Sequence, residues 1–254
     1  LNMGCPVPKV CKTGSGAALL DDPDTAVAVA RAAREGSGLP VTVKLRSGRR
    51  PGEESGFALA HRLVTEGGVA AIAFHPRSAA VHHKGTPDYE LAARLVQTLD
   101  APVILTGGLH DAEATLAAFE YTGAAAVMLA RGSLGNPWLF AQLLGLRTRE
   151  EGTPSGAHPE GHTQRARGRQ AGRQAGERDR QPSRTEVLAE LDWISERAVE
   201  HLGAPRAGRY LRKFYPWYVA QLGLERPRAK ELGESLQKAP TLDDARYTAA
   251  LAAA

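Results

Sequence analysis

Cysteine is scarce in this chain: there are two in 254 residues, Cys5 and Cys11. That excludes a disulfide framework and fits a reducing compartment, so a cytoplasmic location is expected. No stretch approaches the length of continuous apolar sequence needed to cross a bilayer, and no membrane association is expected. Leu1 to Pro6 have neither the basic region nor the apolar stretch of a secretory leader. Metal-ligand spacing is also lacking. The interval between Cys5 and Cys11 matches no common zinc pattern, and the adjacent His82 and His83 have no third ligand at a suitable distance in sequence. What is present is ordinary for a globular protein: 43% hydrophobic and 24% charged residues, enough for one large domain or two smaller ones.

Charge is unevenly placed. The formal net charge is +4, and residues 1–146 and 185–254 each balance to zero. The excess lies in residues 147–184, which hold 9 Arg against 5 acidic residues and no Val, Ile, Phe, Tyr, Trp or Met. Such a stretch buries too little apolar surface to offset its ordering entropy, so it reads as a disordered Arg/Gly/Gln-rich linker. It serves either as a plain spacer or as a loose tether for a polyanion.

Within residues 1–146, β-branched runs alternate with amphipathic stretches. Strands are expected at Val41–Arg46, Ala70–His75, Val103–Thr106 and Ala125–Ala130. Helices are expected at Asp24–Arg34, Glu54–Glu66, Asp88–Leu99 and Asp111–Tyr121. Asp22-Pro23 and Pro87-Asp88 open helices, while Gly67-Gly68 and Gly123 close them. Repeated βα units imply a parallel sheet.

Polar residues gather where each strand ends: Lys44 and Arg46, His75 and Arg77, Thr106-Gly107-Gly108, and Ala130-Arg131-Gly132. A (β/α)8 barrel builds its site from those edges, and glycine turns after late strands commonly hold a phosphate. The fold class expected is therefore α/β, a (β/α)8 barrel. The bland alternative is that the glycines only make tight turns. A full barrel takes about 250 residues and eight strands. Residues 1–146 are thus expected to be the C-terminal part of a barrel lacking its first strands, with Leu1 to Pro6 as the loop after a further strand.

Cys5 lies on a loop at the barrel mouth, followed by Lys9 and Lys12, and a thiol there can act as nucleophile or general acid. An inert cysteine is the competing reading. Lys44 and Arg46 alternate along one strand and so share a face, on which two cations call for an anionic or carbonyl-rich ligand.

Residues 185–254 read as helices over 185–202, 206–222, 226–239 and 242–253. From His201 to Leu224 there is no acidic residue, and Arg206, Arg209, Lys213 and Trp217 fall at helical spacing. A basic face with aromatics suits phosphate contact and base stacking, although an aromatic core with a solvated basic rim has the same pattern.

Taken together, Asn2-Met3-Gly4-Cys5-Pro6, Val43-Lys44-Leu45-Arg46-Ser47-Gly48, His75-Pro76-Arg77, Thr106-Gly107-Gly108, Ala130-Arg131-Gly132 and Gly135-Asn136-Pro137-Trp138 resemble the tRNA-dihydrouridine synthases, in particular the bacterial B-type group. The resemblance implies a flavin-binding (β/α)8 barrel at 1–146 and a helical RNA-binding domain at 185–254. It implies FMN as cofactor, NADPH as reductant, tRNA as partner and a monomer. The reaction implied is reduction of uridine to 5,6-dihydrouridine. Cys5 would match the general acid. Lys44, His75, Thr106, Gly107, Gly108, Ala130 and Arg131 would bind the cofactor. Arg46, Arg77, Arg206, Arg209 and Lys213 would contact the substrate. The turns at Thr106 and Ala130 depart mildly from the usual Asn-Gly-Asp and Gly-Arg. Two alternatives stand beside this one: an incompetent fragment that keeps tRNA binding, and another FMN-dependent barrel acting on a small molecule.

Overall fold

The computed structural model describes residues 1–151 and 181–253. They form two compact units, Leu1–Arg131 and Gly132–Ala254.

In the first unit α1 (Pro8–Cys11) and a 3-10 turn at Gly16–Leu20 precede the alternating series. The series runs α2 (Pro23–Ser37), β1 (Thr42–Arg46), α3 (Ser55–Thr65), β2 (Ala71–His75), α4 (Tyr89–Thr98), β3 (Val103–Thr106), α5 (Ala112–Thr122) and β4 (Ala126–Met128). The strands pair in parallel in the order β1-β2-β3-β4. This is an α/β arrangement consistent with part of a (β/α)8 barrel. Val43, Leu45, Ile72, Phe74 and Leu105 from the strands pack on Leu59, Leu63, Leu91 and Leu95 from the helices. Full burial of each such side chain contributes about 1.5–3 kcal/mol.

Local signals set the helix ends. Asp22, Asp88 and Asp111 accept N–H bonds from Thr25, Leu91 and Ala114 at 3.1, 2.9 and 2.8 Å, capping α2, α4 and α5. Gly38 and Gly123 close α2 and α5 in the left-handed conformation. At the start of α3, Gly56 donates its N–H to the Ser47 carbonyl at 2.8 Å, and a Cβ there would collide with the Arg46 carbonyl. Only glycine lets α3 come this close to the end of β1.

Leu1 to Met3 lie beside β1. Asn2 bridges Lys44 in parallel, Met3 donates its N–H to the Lys44 carbonyl at 3.0 Å, and Lys44 donates to the Leu1 carbonyl at 2.9 Å. The Cys5 loop therefore leaves the sheet from a strand position, at the same edge as the other βα loops.

The second unit is helical: α6 (Leu139–Glu151), α7 (Arg184–Leu202), α8 (Ala204–Leu211), α9 (Tyr215–Gln221), α10 (Arg226–Lys238) and α11 (Leu242–Ala253). Ser183 and Glu186 form a capping box at the start of α7. Val187, Leu191, Leu211, Tyr215, Tyr218 and Leu236 form the core. The single helix expected over 206–222 is instead two, α8 and α9, separated by Arg212 to Phe214. The cause is Pro216, which has no N–H to donate into the preceding turn and disfavours helical geometry at the residue before it. Arg206 and Arg209 therefore belong to one helix, while Lys213 lies in the break and Trp217 on the next helix. The linker expected over 147–184 falls outside the described residues from 152 to 180. Residues 147–151 continue α6, and Ser183 caps α7. Among the described residues no helix is long and apolar enough to cross a membrane.

Candidate active site

The site is built from the C-terminal ends of the four strands and the Cys5 loop. Asn2 shapes that loop: its Oδ1 accepts the N–H groups of Gly4 and Cys5, both at 3.1 Å. Met3 is fully buried beneath it. The Cys5 carbonyl is held by the Ala17 N–H at 2.9 Å and by Cys11 Sγ at 3.4 Å. The backbone on both sides of the thiol is thus fixed, while the Cys5 side chain stays half-exposed and free. Beside the loop opens a cleft of about 660 Å3, whose walls include Pro6, Lys12, Arg49 and His82.

Arg46 ties this loop to the next one. Its Nε donates to the Gly4 carbonyl at 3.1 Å, and its Nη1 donates to the carbonyls of Ser78 and His82 at 2.9 and 2.7 Å. The side chain is buried. Arg46 therefore acts as a positioning residue that clamps two strand-end loops. Two residues earlier on the same strand, Lys44 is half-buried. Burial, aided by the charge of Arg46, pulls its ammonium down to about 8.

His75 ends β2 opposite Arg46 in the register. Burial, reinforced by Arg46, Lys44, Arg77 and His83, pushes its imidazole down to about 2, so the ring is neutral at any physiological pH. Arg77 lies beside it, with Nη1 3.5 Å from His75 Nε2 and Nη2 donating to the Gly85 carbonyl at 2.6 Å. The Nε of Arg77 is buried without a partner.

After β3, Thr106 is buried, and Gly107 and Gly108 both have positive φ, at 101° and 80°. A Cβ on Gly107 would fall on the His75 ring. The Tyr89 hydroxyl braces this turn by donating to the Gly107 carbonyl at 3.1 Å. The N–H groups of Gly107 and Gly108 make no hydrogen bond among the described residues. Ala130 leads from β4 into the short 3-10 turn Arg131–Ser133. Arg131 is near enough to depress the proton affinity of Arg46, Arg77, His83 and His110. Lys44, Arg46, Arg77 and Arg131 thus share one edge, and none of them makes an ion pair among the described residues. Such an edge is arranged to receive an anion.

The structure brings Cys5, Lys44, Arg46, His75, Arg77, Thr106, Gly107, Gly108, Ala130 and Arg131 to that one edge of the first unit. Arg206, Arg209 and Lys213 belong to the second unit. Lys213 Nζ sits 3.8 Å from the Tyr210 ring centroid and 5.0 Å from that of Phe214, a cation–π arrangement on an exposed surface. Sequence reading missed Tyr89 and Ser78. No local signal marks either, because their site contacts run to residues on other loops. Among the described residues no group of His, Cys, Asp and Glu could hold a metal ion.

Two predictions follow from this geometry. Gly107→Ala combines a left-handed backbone with a methyl aimed at the His75 imidazole, so the turn or the ring must move. A loss of about 1–3 kcal/mol is expected, measured by urea denaturation. Unchanged stability would contradict the described turn. The second concerns pH. Folded His75 binds no proton above about pH 2, whereas the unfolded chain's histidine takes one up below about 6.5. The folded state is therefore favoured above pH 6.5, and this contribution fades as pH falls. The slope is about 1.4 kcal/mol per pH unit for this one group. His75→Gln should flatten the decline in Tm between pH 6.5 and 4.5. A variant that declines as steeply as the parent would show that His75 is not held neutral.

A parallel βα sheet with polar and charged side chains gathered at its C-terminal edge is consistent with part of a (β/α)8 barrel. The sequence pattern of the family described as dihydrouridine synthase (Dus) matches residues 1–197, and the chain belongs to that family. A protein of Mycobacterium tuberculosis H37Rv named "Probable tRNA-dihydrouridine synthase" is 42% identical over 252 residues, covering 96% of this chain and 56% of its own length. Its counterpart in Mycobacterium leprae is 34% identical over the same span and shares. The tRNA-dihydrouridine synthase B of Xanthomonas campestris is 34% identical over 143 residues, 56% of this chain and 43% of its own. The chain thus spans about half the length of the curated relatives it matches.

Proposed function

We propose that the protein reduces uridine to 5,6-dihydrouridine in tRNA, using FMN and NADPH. The observation that carries this reading is the strand-end edge. It combines unpaired cations, two open glycine N–H groups, a buried arginine nitrogen without a partner and a free thiol on a rigid loop. These residues fit a phosphate-bearing cofactor. The N–H groups of Gly107 and Gly108, with Ala130 and Arg131, would hold the phosphate, while Lys44 and His75 would lie against the ring. When bound and reduced by NADPH, FMN supplies hydride for C6 of the uracil ring.

Saturating the C5–C6 double bond also needs a proton at C5. His75 cannot supply it, because burial keeps the imidazole unprotonated. Cys5 has the one thiol on this edge with a fixed backbone and a free side chain. It gives its proton to C5 and regains one from water. Lys44, still mostly protonated at neutral pH, donates to a uracil carbonyl and draws electron density from the ring. Arg46 holds the Gly4 carbonyl and with it the direction of the thiol. In the helical unit, exposed Arg206, Arg209 and Lys213 meet tRNA phosphates, and affinity should fall steeply with salt.

The test is an assay of unmodified tRNA with the protein, FMN and NADPH, followed by mass analysis of its nucleosides. Dihydrouridine should form only when all three are present. Its absence with flavin demonstrably bound would overturn the reading.

A further inference from the structure

The two cysteines of the chain lie close together in the fold, and the proposed mechanism uses only Cys5. Cys11 Sγ donates to the Cys5 carbonyl at 3.4 Å and accepts from Arg49 Nη1 at 3.4 Å. A carbonyl oxygen sits about 3 Å from the Cβ of its own residue, which places the Cys11 sulfur no more than about 6.5 Å from the Cys5 Cβ. A disulfide brings those two atoms to roughly 3 Å, since its S–S bond is about 2 Å long.

Two soft places can close that distance. The Cys5 side chain is half-exposed and makes no hydrogen bond among the described residues, so its sulfur is free to turn. Cys11 ends α1, a single turn none of whose residues is fully buried, so a shift of that turn costs little packing. Cys11 is half-exposed as well and lines the cleft of about 660 Å3 together with Arg49, which gives a small oxidant access. Asp21, 3.2 Å from Arg49 Nε, holds that guanidinium in place. A fixed cation therefore stands beside the second sulfur, where negative charge builds as it attacks.

We propose that Cys5 and Cys11 form a reversible disulfide when the protein meets hydrogen peroxide, withdrawing the Cys5 thiol from the strand-end edge. First the O–O bond of peroxide breaks, the Cys5 thiol becomes a sulfenic acid and one water leaves. The Cys11 sulfur then attacks the Cys5 sulfur. The S–S bond forms, the S–O bond breaks, and the hydroxyl leaves as a second water with the Cys11 proton. Two thiols have lost two hydrogens and two electrons, and one peroxide has become two waters. A dithiol reverses the change by exchange. The disulfide stands on the geometry alone, whereas its effect on turnover rests on the proposed role of Cys5.

The experiment treats the full chain with one equivalent of hydrogen peroxide, blocks remaining thiols with iodoacetamide and digests with trypsin. Cleavage after Lys9 and Lys12 leaves Cys5 in residues 1–9 and Cys11 in residues 10–12, so the disulfide appears in the mass spectrum as these two peptides joined. The joined pair should be the main product and should disappear with dithiothreitol. Cys11→Ser should give no joined pair and should carry Cys5 on to the sulfinic acid, which dithiothreitol does not restore. Dihydrouridine formation, measured on the same samples, should fall in proportion to the joined pair and return with dithiothreitol. Cys5 recovered from the parent as free thiol, as sulfinic acid, or joined only to a second chain would overturn the proposal. A complete disulfide with turnover undiminished would overturn the switch. Joined peptides from a chain that forms no dihydrouridine even before treatment would count against the enzymatic reading alone.

Discussion

Cys5→Ala is expected to lower dihydrouridine formation by about 10²–10⁴-fold, the range general acids contribute, while leaving the fold and the phosphate edge intact. The separation follows from how the loop is held. Its contacts to Asn2, Ala17 and Cys11 all use the Cys5 backbone, and none uses the thiol. Alanine keeps each of them. The half-exposed side chain also contributes little packing, so Tm should barely change. Cys5→Ser tests the same point from another side: a hydroxyl fits the space but is a much poorer proton donor, so it should resemble alanine in rate. Near-parental turnover in either variant would remove Cys5 from the proton path.

Arg46→Met is expected to destabilise the first unit by about 2–4 kcal/mol and to reduce turnover by roughly a hundredfold. Two effects oppose each other. Removing the guanidinium relieves its desolvation and its repulsion by Arg77 and Arg131. It also strands the carbonyls of Gly4 and Ser78 in a buried setting, and that of His82 in a partly buried one. Each buried acceptor left unmet costs about 1–3 kcal/mol, so the two buried ones outweigh the relief. The rate effect comes through the Gly4 carbonyl, since a displacement of about 1 Å at a reacting group can cost a hundredfold. Arg46→Lys should not rescue, because one ammonium cannot reproduce a planar fork reaching three carbonyls. A variant with unchanged Tm and unchanged rate would contradict the clamp.

The sheet was largely legible because its signals are local. β-branched runs marked β1 to β3, and aspartates before each helix marked where α2, α4 and α5 begin. β4 proved shorter than its apolar run, since the chain turns toward Arg131 soon after Met128. The break between α8 and α9 carried its signal in Pro216, which the regular spacing of Arg206, Arg209, Lys213 and Trp217 obscured. The site's residue types were legible, but their couplings were not. Arg46 could be placed on a functional face, yet its clamp joins residues 42, 32 and 36 positions away. Likewise, the neutrality of His75 depends on burial and on cations from neighbouring strands, and the Tyr89 brace on a turn 18 residues on. Such couplings exist only once the strands are side by side.

The most direct measurement is to run the reaction in deuterated water with unlabelled NADPH and locate the deuterium in the product ring. The account predicts solvent-derived deuterium at C5, delivered by the Cys5 thiol, whatever the label at C6, since hydrogen on a reduced flavin nitrogen itself exchanges with water. Product without deuterium at C5, or uridine recovered unreduced, would contradict it.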